Sequence, residues 1–204
     1  MAGAFDTCDR SVLLSKLENL CGLTGTVLQL FSTYLSGRTQ RTVMSGGRQS
    51  SWQAVPCGVP QGSVLGPLLF ALYTMDIGAG VPGVRIVQYA DDVTLVTSDE
   101  APEGAAHKMN AALGQFAAYA RTNRLAPAPE KTQLLLSGSG AKLAGMRELV
   151  YQMGEQRLKP TETIKVLGVL LDENLTWEQH NEAAAGKTIR VARMVRRATR
   201  HLGH

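Results

Sequence analysis

The chain has 204 residues, 44% of them hydrophobic and 19% charged, the make-up of a folded globular protein rather than a disordered or fibrous one. A net charge of +4 at pH 7 permits a polyanionic partner without demanding one. Cys8, Cys21 and Cys57 stand far apart with no CxxC pair, which argues against a zinc knuckle or disulfide framework and for reduced thiols inside a cell. The longest apolar stretch, Val64 to Met75, is interrupted by Gly66 and Pro67 and is too short to span a bilayer, so no membrane partner is expected.

Taken in order, Asp9-Arg10-Ser11 ahead of Val12, Leu13, Leu14, Leu17 and Leu20 predicts a capped amphipathic helix ending at Gly22. Thr24 predicts the cap of a second helix through Leu35, stopped at Gly37. Thr39 to Ser45 and Ser51 to Val55 read as strands around a Gly46-Gly47 turn. A Gly/Pro-rich loop and a helix from Ser63 to Ile77 follow. Val84 to Gln88 and Val93 to Val96 predict a tight hairpin with Tyr89-Ala90-Asp91-Asp92 at its tip.

Pro102 marks the first turn of a helix running to Thr122 and burying Met109, Leu113, Phe116 and Tyr119. Thr132 to Leu136 reads as a strand and Ser137 to Ala144 as a Gly/Ser loop. Val150 to Met153, Gln156 to Lys159 and Ile164 to Leu171 read as three short strands, and Trp177 to Leu202 as one long helix. Antiparallel strands interspersed with helices place the chain in the α+β class.

Asp91 and Asp92 admit two readings. Asp is a favoured turn residue, and two carboxylates on a rigid tip also suit Mg²⁺ held against phosphate oxygens, the chemistry of nucleotidyl transfer. The string Gly58-Val59-Pro60-Gln61-Gly62-Ser63, leading into an apolar helix, tilts the balance towards the second. Its glycines allow close backbone approach, Gln61 can hydrogen-bond a base or sugar, and a helix N-terminus favours anionic groups.

These segments together resemble the reverse transcriptase domain of non-LTR (LINE-type) retrotransposons. Ala4-Phe5-Asp6 resembles the tail of the family's first palm motif, Gly58 to Phe70 the second, Tyr89 to Asp92 the third, Leu125 to Thr132 the fourth, and Val166 to Val169 the fifth. Leu175-Thr176-Trp177 and His180 resemble the start of the thumb. The resemblance implies a right-hand polymerase palm, an antiparallel sheet backed by helices, over residues 1–172, and the start of a helical thumb over 173–204. It also implies an RNA-directed DNA polymerase using two Mg²⁺ ions, an RNA template, a DNA primer and dNTPs, in a nuclear or cytoplasmic ribonucleoprotein of a eukaryote. Oligomeric state is left open.

Carried over by motif, Asp91 is the direct metal ligand and Asp92 a supporting one. Lys131 is the lysine that neutralises or protonates pyrophosphate. Phe5, Gly58, Pro60, Gln61, Gly62 and Tyr89 contact nucleotide and template, with Phe5 as the sugar gate, and Leu167 and Gly168 form the primer grip. Lys131 as a solvated lysine, Phe5 as a core aromatic, and Leu167 and Gly168 as core strand residues are the plainer alternatives. His180 reads as structural.

Arg190, Arg193 and Arg197 recur at helical spacing with Arg200, as a solvated face or as contacts to a nucleic-acid backbone. The family's first motif opens with an Asp that would fall just before Met1, and the fingers would lie upstream of it. Along an extended strand Asp6 would stand about 20 Å from that position. On this reading the domain is truncated, with fingers absent, and the chain as given is expected not to extend a primer. The alternative function is a non-catalytic RNA-binding remnant of such a domain.

Overall fold

A computed structural model describes residues 4–78 and 81–199. In chain order it contains α1 (Ala4–Thr7), α2 (Arg10–Asn19), α3 (Gly25–Leu35), β1 (Thr39–Gln40), β2 (Gln53–Ala54), α4 (Leu65–Thr74), β3 (Val84–Tyr89) and β4 (Asp92–Thr97). After these come α5 (Pro102–Thr122), a 3₁₀ turn (Pro129–Lys131), α6 (Gly140–Arg147), β5 (Tyr151–Met153), β6 (Gln156–Leu158), β7 (Thr163–Val166), β8 (Val169–Asp172) and α7 (Glu178–Thr199). The class is α+β, as expected. Among the described residues the strands do not join into one sheet: they form four separate two-stranded antiparallel hairpins, each pairing sequence neighbours.

Two apolar clusters hold the fold. The first gathers Leu13 and Leu17 of α2, Leu35 of α3, Leu69, Phe70 and Tyr73 of α4, and Ala120 near the end of α5. The second gathers Ala106 and Leu113 of α5 with Leu134, Leu136, Leu143, Tyr151, Met153 and Leu158. The long helix α5 contributes to both, and it also lies against β3 and β4. That support matters because a two-stranded hairpin alone is marginal in water.

The local signals explain most element ends. Asp9 caps α2, its Oδ1 accepting from the backbone N–H groups of Ser11 (2.8 Å) and Val12 (3.0 Å). Pro102 occupies the first turn of α5. Three expectations fail for identifiable reasons. Residues 137–144 are not a loop, since α6 begins at Gly140 and buries Leu143 in the second cluster. Thr132 to Leu136 is not a strand; its one ladder contact is a single bridge from Leu134 to Pro160, a residue without an N–H to continue a ladder. Ile164 to Leu171 is not one strand but the hairpin β7–β8, folded at Leu167-Gly168 with both residues at positive φ. Arg200 and the residues after it lie outside the described residues.

The first cluster encloses one cation. Lys16 is 8% exposed, and its Nζ donates to the Tyr73 carbonyl (2.7 Å), to Asp76 Oδ1 and to the Tyr119 hydroxyl (3.0 Å). It therefore ties α2, α4 and α5 together. Burial pushes the Asp76 pKa up, but hydrogen bonds from Lys16 and Tyr119 outweigh this and hold the carboxyl below its ordinary range.

Replacing Lys16 by Met should cost about 2 kcal/mol, because Asp76 and the Tyr73 carbonyl lose their donor while Asp76 stays partly solvated. A carboxylate with a depressed folded pKa stabilises above its unfolded value and ceases to do so as pH falls through the folded one. The destabilisation of Asp76→Asn in urea melts should thus be largest near neutral pH and shrink below about pH 4.

Candidate active site

Three parts of the sequence meet around α4. The first is α1. The Val59 N–H donates to the Phe5 carbonyl (2.8 Å) and the Gly58 N–H to the Cys8 carbonyl (2.7 Å), so the loop before α4 pairs with the start of the chain. Gly58 has φ +84°, and a Cβ there would stand 2.8 Å from the Asp6 carbonyl oxygen, which leaves no room for another residue. Gly66 is as constrained: a Cβ would meet the Pro60 oxygen at 2.7 Å.

Arg10 completes the loop from below. Its guanidinium donates to the carbonyls of Val55 (2.7 Å), Cys57 (2.9 Å) and Gly58 (3.0 Å). Sequence reading places Arg10 only as the residue after a cap; nothing in its neighbours announces this role. Gln61 is exposed, and its Nε2 donates to both Asp6 carboxylate oxygens at 3.2 Å. Asp6 itself sits in a helical turn rather than on an extended strand.

Phe5 is half-buried and stacks on Phe70 of α4 with ring centroids 4.4 Å apart. One face of Phe5 is thus committed to the core. One turn further along α4, Thr74 is fully buried and its hydroxyl donates to the Phe70 carbonyl (3.0 Å). The same hydroxyl oxygen accepts from Gln88 Nε2 (2.7 Å), and that amide also donates to the Ala90 carbonyl (2.8 Å). Phe5, Phe70, Thr74, Gln88 and Ala90 form a continuous connection from the first motif to the acidic hairpin.

The hairpin is in register throughout, from Val84 opposite Thr97 to Tyr89 opposite Asp92. This leaves Ala90 and Asp91 as the two-residue turn, with Asp92 already the first residue of β4. Ala90 has φ 51°, a left-handed conformation costing an alanine about 1 kcal/mol. Gln88 grips the carbonyl of that residue. Asp91 is half-buried, whereas Asp92 is exposed and Tyr89 is 67% exposed on the hairpin's outer face.

The remaining expected residues lie on other elements. Lys131 is exposed in the 3₁₀ turn, its N–H bonded to the Ala128 carbonyl. Leu167 and Gly168 are exposed at the β7–β8 turn, which removes the core-strand alternative for them. Arg190, Arg193 and Arg197 are exposed on α7. The direction of α7 is set by Asp172, whose carboxylate accepts from the N–H groups of Asn174, Thr176 and Trp177. The His180 Nδ1 accepts from the Leu170 N–H at 3.4 Å, in keeping with a structural role.

No group of three or more His, Cys, Asp or Glu side chains stands together as a metal cage among the described residues. Asp91 and Asp92 are adjacent hard-oxygen donors instead. Such a pair fits Mg²⁺, which keeps several waters and is commonly held by one or two carboxylates together with substrate phosphates.

A sequence family described as reverse transcriptase (RNA-dependent DNA polymerase) matches residues 1–171. The chain belongs to the reverse transcriptase family. It is 30% identical over 185 residues to the RNA-directed DNA polymerase from mobile element jockey of Drosophila funebris, covering 87% of this chain and 19% of that protein. It is 29% identical over 190 residues to a probable RNA-directed DNA polymerase from transposon BS of Drosophila melanogaster, covering 90% of this chain and 20% of that protein. The probable RNA-directed DNA polymerase from transposon X-element of the same fly is 30% identical over 157 residues, covering 74% and 16%. The chain thus spans about a fifth of the length of these relatives, all from mobile elements, as the non-LTR resemblance of the motifs implies. No helix among the described residues is long and apolar enough to cross a membrane.

The Gln88 connection predicts a measurable change in the hairpin tip. Gln88→Met and Thr74→Val should each speed amide exchange of Asp91 and Asp92 by about fivefold or more, as loss of one hydrogen bond of about 1 kcal/mol requires. Thr74→Ser, which keeps the hydroxyl, should exchange like the parent chain. Unchanged exchange in Gln88→Met would mean that the ladder alone holds the tip.

Proposed function

We propose that this chain is the palm, with the start of the thumb, of an RNA-directed DNA polymerase of a retroelement, and that Asp91 and Asp92 serve its nucleotidyl transfer. The observation that carries the proposal is the connection of the first motif and the Asp91 hairpin through one face of α4, in a chain of this family. Bound Mg²⁺ would supply the positive charge that activates a primer hydroxyl and offsets charge on the triphosphate.

The chain's own residues do the rest. Asp91, half-buried on a turn whose backbone is gripped, would hold its carboxylate steady for the metal. Asp92, at the exposed end of β4, would be the adaptable second donor. Tyr89 would offer its outer face to substrate. Phe5, with one ring face against Phe70, keeps an edge for the sugar of an incoming nucleotide. Gly58, Pro60, Gln61 and Gly62 would border the nucleotide and template. Lys131 would meet the leaving pyrophosphate.

Leu167 and Gly168, at the tip of β7–β8, would touch the primer backbone. Arg190, Arg193 and Arg197 would contact phosphates of the template–primer duplex without regard to sequence. The substrates would be RNA template, DNA primer and dNTPs, in an intracellular ribonucleoprotein.

Two measurements test this. Mn²⁺ should broaden the amide resonances of Asp91 and Asp92, and Asp91→Asn should abolish the broadening; broadening that survives would remove Asp91 from the metal site. Arg193→Ala and Arg197→Ala should each flatten the salt dependence of duplex binding by somewhat less than one log unit per log of salt. An unchanged slope would make that side of α7 a solvated one.

A further inference from the structure

One segment outside this site has the chemistry of a binding surface. Between α3 and the Gly58 loop the chain forms a ribbon, β1 against β2, extended by a bridge from Val43 to Gln49 and turned at Gly46 and Gly47. Every residue from Thr39 to Ala54 is exposed. Neither face of the ribbon is buried, although it carries Val43 (61% exposed), Met44 (54%) and Trp52 (59%). A bare two-stranded ribbon is marginal on its own, so a bound partner would stabilise it.

The charge on this segment has one sign. No Asp or Glu occurs between Glu18 and Asp76, and the cations in that interval are Arg38, Arg41 and Arg48. Two of the three are arranged on rings. The Arg41 guanidinium lies 4.5 Å from the Trp52 ring centroid, and Arg38 lies 5.0 Å from that of Tyr34 at the base of the ribbon. Exposed arginines without a neighbouring acid attract a polyanion and repel a second copy of the same ribbon. An exposed indole beside a guanidinium offers a stacking platform to an unpaired base, which a duplex does not present.

We propose that the Arg38–Val55 ribbon binds single-stranded RNA, with Trp52 stacking on a base and Arg41 and Arg48 pairing with phosphates. The choice of RNA rests on the polymerase reading above, in which the strand awaiting copying is RNA; the stacking and charge arguments stand without it.

The chain contains two tryptophans, so Trp177→Phe leaves Trp52 as the sole indole reporter. Titrating this variant with a single-stranded oligoadenylate of about 12 nucleotides should quench Trp52 emission saturably, and a blunt duplex should not. Trp52→Leu should weaken binding of the labelled oligonucleotide at least fivefold. Arg41→Ala and Arg48→Ala should each reduce the salt slope by about 0.7. All three side chains are exposed, so these variants should melt like the parent.

RNA that binds while Trp52 emission stays unmoved would overturn the ribbon proposal and leave the polymerase reading in place. Equal quenching by duplex, or ribbon variants that alter self-association in sedimentation rather than RNA affinity, would overturn it as well. If the parent chain binds no RNA, the proposal falls, and the Asp91-dependent metal measurement judges the polymerase reading separately.

Discussion

The buried hydroxyl of Thr74 joins two parts of the fold that local structure leaves apart. It donates to the Phe70 carbonyl one turn back in α4 and accepts from Gln88 in β3. A fully buried hydroxyl needs partners, since an unpaired one would cost about 1–3 kcal/mol. Meeting that need from Gln88 draws the acidic hairpin onto the same helix face on which Phe5 stacks through Phe70. Gln88 then uses its second donor on Ala90, the residue whose left-handed backbone forms the tip. The position of Asp91 thus depends on a hydroxyl that has no contact with solvent.

Around this connection the protein uses cations from within as ties. Lys16 joins three helices through one ammonium, and Arg10 collects three carbonyls of the loop before α4. Both satisfy backbone or side-chain acceptors that irregular structure would otherwise leave without donors. The exposed cations have a different character. Arg41 and Arg48 of the β1–β2 ribbon and Arg190, Arg193 and Arg197 of α7 face solvent, where a polyanion would meet them. Other surface cations are paired within the fold, Arg124 with Asp9 and Arg147 with Glu173.

Much of the outline was legible in the chain. The Asp9 cap, the first-turn Pro102 and the alternation flanking Tyr89 to Asp92 are local rules, and α2, α5 and the β3–β4 hairpin follow them. The misreadings cluster in residues 132–171, where the signals are weak. Gly138 and Gly140 favoured a loop, yet burial of Leu143 in the second cluster outweighs the local cost of glycine and yields α6. In Ile164 to Leu171 the run of apolar residues concealed a turn, because Leu at positive φ is tolerated only when the flanking strands pair so closely that the chain must reverse there.

The sequence by itself determined the family and the α+β class and marked Asp91, Asp92 and the Gly58 loop as candidates, because these depend on residue types in a fixed order. Only the tertiary structure decided which of those residues share a scaffold. Gln88 and Thr74 are 14 residues apart, and Arg10 and Gly58 are 48 apart. Their partnerships arise from hydrogen-bond demands inside a packed core, and no spacing rule along the chain encodes them. That is why Asp91 could be named from its motif, while the helix and the amide that hold it could be found only in the fold.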